Sequence, residues 1–147
     1  MAFMMMIIGG CKDFGDNPQT PFLPVHTLLS APQSVVFEGK RLVLFPELYR
    51  APSTGNSLAM LLHIETVDST QPPSPIICNE VWIVRGSEVW ASYLRDDGFH
   101  TFNDIERVAD GGPVWDGPVD VIVSLVDQHG QVFLLRASNQ PVRVFNA

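Results

Sequence analysis

Residues 118–137 read PVDVIVSLVDQHGQVFLLRA. Val119, Val121, Val123 and Leu125 fall on one side of an extended chain, and Asp120, Ile122, Ser124 and Val126 on the other. A period of two belongs to a strand rather than a helix. Asp127-Gln128-His129-Gly130 then offers a side-chain acceptor at the start of a turn and a glycine where the backbone takes a positive φ. Val132 to Leu135 run back, so the stretch predicts a hairpin of two long strands.

A second hairpin is predicted over 80–94, EVWIVRGSEVWASYL, with Gly86-Ser87 as a two-residue type II′ turn. That turn sets Arg85 opposite Glu88 and Ile83 opposite Trp90. Trp82, Val84, Val89, Ala91 and Tyr93 then share one face, and Val81, Ile83, Trp90 and Ser92 the other. Both faces are largely apolar, so each needs a cover. One tryptophan packs the core, and the other is covered by another segment of this chain or, failing that, by a partner. Residues 57–68, SLAMLLHIETVD, place Leu58, Met60, Leu62 and Ile64 on one face and Ala59, Leu61, His63 and Glu65 on the other. Its good helix formers make a helix the competing reading. The proline-rich loops on either side favour a strand.

Weaker signals complete the pattern. Ser34–Phe37 and Arg41–Phe45 flank a turn at Glu38-Gly39-Lys40, Asp104–Ala109 is a short strand, and Pro141–Phe145 is an edge strand. Val25–Ser30 reads as a weak first strand, and Pro46–Arg50 as the chain's one helical turn. Seven to nine short antiparallel strands with almost no helix predict an all-β fold. Its architecture resembles the Greek-key β-sandwich of immunoglobulin or fibronectin III domains, with a small β-barrel as the alternative. That resemblance implies a core tryptophan at Trp82, on the third strand of such folds.

The chain has 147 residues, the size of one domain, and a net charge of −7. Its only lysines are Lys12 and Lys40, and its arginines are scattered. Nucleic acids and anionic membrane surfaces need clustered positive charge, so neither is an expected partner. Two cysteines, Cys11 and Cys78, are too few for a disulfide framework.

The N-terminus reads MAFMMMIIGGC, and Ile8-Gly9-Gly10-Cys11 resembles the lipobox of bacterial lipoproteins. That resemblance implies that Cys11 is acylated and that the protein sits at the bacterial cell envelope, lipid-anchored or secreted. Eight apolar residues are too few to span a bilayer. Lys12–Pro24 holds three prolines and reads as a tether, which leaves 1–24 as a signal and tether and 25–147 as the domain.

No catalytic constellation stands out: there is no G-x-S-x-G, H-E-x-x-H, Walker loop or G-x-G-x-x-G. The four histidines do not occur at ligand spacing, so no metal or cofactor is expected. The acidic run at Asp96-Asp97-Gly98 reads as a solvated turn. The expected function is therefore non-enzymatic: an accessory or binding subunit whose partner is another protein. The interaction patch is expected from Val81, Ile83, Trp90, Tyr93 and Trp115. The alternative is a carbohydrate-binding module that stacks sugar rings on Trp90, Tyr93 and Trp115.

Overall fold

The computed structural model describes residues 22–73, 75–96 and 104–145. In chain order the elements are helix α1 (Val25–Leu29), strands β1 (Val35–Phe37) and β2 (Lys40–Arg50), a single 3-10 turn (Pro52–Thr54), and strands β3 (Leu58–Thr66), β4 (Ile77–Arg85), β5 (Glu88–Tyr93), β6 (Asp104–Gly112), β7 (Val119–Val126), β8 (Val132–Gln140) and β9 (Val142–Val144). A first sheet runs β1-β2-β3-β6, and a second runs β5-β4-β7-β8. They do not close into a barrel. Lettering β2 to β8 as A, B, C, C′, E, F and G gives A-B-E facing C′-C-F-G, the immunoglobulin-type Greek-key order. One strand departs from an all-antiparallel plan. After β8 the chain changes sheet, and β9 pairs parallel to the end of β2, with Leu48 opposite Val142 and Arg50 opposite Val144.

The alternation in the sequence decides what lies between the sheets. Leu58, Met60, Leu62 and Ile64 of β3 are fully buried, while Ala59, Leu61, His63 and Glu65 face outward and are half-buried. They meet Val81 and Ile83 of β4 and Val119, Val121, Val123 and Leu125 of β7. The 118–137 hairpin forms as its sequence predicts. Asp127 Oδ1 accepts from the backbone N–H of His129 at 2.9 Å and of Gln131 at 3.0 Å, and Gly130 takes φ 78°. Glu38 and Gly39 take φ 48° and 80° between Phe37 and Lys40, the two left-handed positions of a type I′ turn. In the 80–94 hairpin Arg85 does pair with Glu88, and Ile83 with Trp90.

Three expectations are corrected. Val25–Leu29 is a helix, not a strand. Pro24 stands at its N-cap, and Leu28 lies fully buried on the outer face of the second sheet. Pro46–Arg50 is not a helical turn but the second half of β2. The proline is tolerated because it falls between the stretches of β2 paired with β1 and with β9. Trp82 does not point between the sheets. It lies on the outer face of the second sheet with Val84 and Ile122, beneath Leu28 and Ala31.

That second apolar layer has its own fastening. Arg136 of β8 donates from Nε to the Ala31 carbonyl at 2.9 Å and from its backbone N–H to Pro32 at 2.9 Å, and its Nη1 pairs with Asp120 at 3.1 Å. If α1 is the cover that Trp82 requires, Leu28→Ala will destabilise the protein by about 2–5 kcal/mol. Urea denaturation measures the loss, and native tryptophan emission should shift to the red. A change below about 0.5 kcal/mol would mean that the helix rests on the sheet without sealing it.

Candidate functional site

The outer face of the first sheet is built by the residues that alternate with the core. Register places them in rows across β2, β3 and β6: Val43, Glu65 and Asp104; then Phe45, His63 and Glu106; then Glu47, Leu61 and Val108. Phe45 is 51% exposed, and Val36 of β1 is 52% exposed. Among the described residues no helix lies over this face, whereas α1 covers the matching face of the second sheet.

His63 is the centre of the face. Its Nδ1 lies 2.8 Å from Asp104 Oδ2, and its Nε2 lies 3.5 Å from Glu47 Oε2. Desolvation by burial acts to lower its pKa. The hydrogen bond to Asp104 and the negative charges of Glu106, Asp104 and Glu47 outweigh that, so the imidazole stands above its ordinary 6.5. One donor atom from each of His63, Glu65 and Asp104 lies within 4.8 Å of the other two. No motif scan finds this group, because Asp104 is 41 residues from His63. The one signal in the sequence is His63-x-Glu65, a spacing that puts both side chains on the same side of a strand.

The residues expected to form an interaction patch are dispersed. Val81 and Ile83 are fully buried between the sheets, so they are core residues and not part of a surface. Trp90 is half-buried against the same core. Its ring lies so close to Gly112 that a Cβ there would come within 2.8 Å of it. Trp115 is 7% exposed, with the Arg85 guanidinium 4.8 Å from its ring centroid. Tyr93 is exposed, but its strand position places it on the opposite face of the second sheet from Trp90. The three rings therefore do not share a platform. Cys11 lies outside the described residues, as do Asp97 and Gly98 of the Asp96-Asp97-Gly98 run.

Among the described residues the one cysteine, Cys78, is buried and unpaired. Compared with known proteins, the chain matches no family model, no curated protein and no solved structure.

Burial pushes the Cys78 thiol up to about 12 from 9.0, and the Arg107 charge offsets only part of that. A raised acid pKa means that the neutral thiol supports the fold fully below 9.0 and that this support is lost as pH climbs toward 12. In a Cys11→Ser background, Cys78 should therefore resist a thiol reagent at pH 8 and react at once in urea. Fast reaction of the folded protein would contradict a buried, protonated thiol.

Proposed function

We propose that this chain is a non-enzymatic accessory subunit of the bacterial cell envelope, tethered through Cys11, that binds a protein partner on the outer face of its first sheet. The observation that carries the proposal is the asymmetry of the two faces. Among the described residues, helix α1 covers the second sheet, while Phe45, Val36 and their half-buried neighbours Val43, Leu61 and Val108 stay on the open face of the first. Exposed apolar side chains interspersed with charge suit a protein-binding surface. Around it stand the acids Glu47, Glu65, Asp104 and Glu106, with Arg41 opposite Val36 and Arg143 opposite Tyr49 toward the β1 and β9 edges. The partner that complements the acids carries an apolar anchor flanked by lysine or arginine. A glycan reading has less support, because Trp90 and Trp115 pack within the chain and Tyr93 faces away from Trp90.

A photoreactive amino acid placed at Phe45 in source cells should give a discrete adduct that fades at high salt. The same residue at Val132, exposed on the other sheet, should give none. Equal adducts from both positions, or none from Phe45, would overturn the docking face. Anchoring is read separately. An alkyne-palmitate should label the wild-type protein and not Cys11→Ala, and an unlabelled wild type ends the lipoprotein part of the proposal.

A further inference from the structure

On two neighbouring strands, four metal-ligating side chains occupy the corners of one square. His63 and Glu65 follow each other along the outer face of β3, and Glu106 and Asp104 stand directly opposite them on β6. Side chains opposed across an antiparallel pair have their Cβ atoms roughly 4.5–5.5 Å apart, so this grid is tight. Glu65 and Asp104 place two carboxylates face to face. Like charges directly opposite destabilise a sheet unless something cationic lies between them. His63 meets part of that need through its 2.8 Å contact with Asp104. The Glu65 side chain makes no hydrogen bond or ion pair within the described residues.

We infer that His63, Glu65 and Asp104 form a site for a first-row divalent transition metal of the zinc class. Three donor atoms already lie within 4.8 Å of one another. Any two ligands on a tetrahedral zinc ion stand about 3.3–3.6 Å apart, given bonds of about 2.0–2.2 Å to nitrogen and carboxylate oxygen. Side-chain adjustments of about an ångström bring all three to bonding distance, the 2.8 Å His63–Asp104 contact opening as the ion enters. One imidazole with two carboxylates is a borderline donor set. It suits zinc and its neighbours, and offers too few oxygens for calcium, which takes six to eight. The remote ring nitrogen of His63 already faces Glu47 at 3.5 Å. A carboxylate there is the partner that fixes the tautomer and orientation of a ligating histidine. Three protein ligands leave a fourth position open toward solvent.

The inference stands apart from the partner reading, since the ion is measured on the isolated protein. Chelator-stripped full-length protein is titrated with Zn²⁺ by calorimetry, with Ca²⁺ in parallel. The expected result is one zinc per chain, with the His63 ring resonances shifting on addition. Binding should be at least about tenfold weaker in Glu65→Gln and in Asp104→Asn. Thermal melting should show both apoproteins folded, with Glu65→Gln slightly stabilised by relief of the carboxylate repulsion and Asp104→Asn offset by loss of its His63 contact. No zinc binding at millimolar ion overturns the inference, as does binding that leaves the His63 ring unmoved or persists in both variants. Calcium bound as tightly as zinc would overturn the metal class.

Discussion

The second sheet is apolar on both sides, and the rest of the structure follows from that. Along β4, Val81 and Ile83 point to the first sheet while Trp82 and Val84 point away. On β7, Ile122 joins the outward set. A sheet with two greasy faces needs two covering layers. The first sheet supplies one. The other must come from a different part of the chain, and the residues around Leu28 and Ala31 supply it.

That demand explains a helix the local sequence does not. Five residues are far too few to hold a helix in water. Val25–Leu29 has no side-chain cap hydrogen bond either. What makes the segment helical is the surface beneath it, where Leu28 drops onto Trp82 and Ile122. Arg136 then ties the following residues to the edge strand β8. The helix is thus a consequence of tertiary contact, and reading it as a strand followed from weighing Val25 to Ser30 alone.

Legibility from sequence tracked how local each interaction is. The hairpins at 118–137 and 80–94 and the strand at 57–68 were legible because alternation and turn chemistry lie within a few residues of each other. Glu38-Gly39 and Asp127-Gly130 set their turns by local backbone preference and side-chain acceptors. That each face of the 80–94 hairpin needs a cover could be read too, although the resemblance put Trp82 in the core and so left the Trp90 face, not the Trp82 face, as the one in need of an outer cover. Trp115 and Trp90 pack within the chain although their sequence surroundings do not show it. Whether an aromatic ring is exposed depends on distant neighbours, here Arg85 and Gly112. The His63 cluster was the least legible feature, since two of its corners come from β3 and two from β6.

The geometry of that cluster is nevertheless held by the core. Leu58, Met60, Leu62 and Ile64 are fully buried on the inner side of β3, and Ala109 of β6 is buried beside them. Slipping β3 by one residue against β6 would turn all four large side chains of β3 outward and carry His63 and Glu65 into the interior. Burial on one face therefore fixes the register that opposes Glu65 to Asp104 and Glu106 to His63 on the other. The carboxylates repel one another, yet they cannot drift apart along the strands without exposing the core. A site made this way needs little stabilisation of its own: the packing between the sheets maintains a charge arrangement that the outer face alone would disperse.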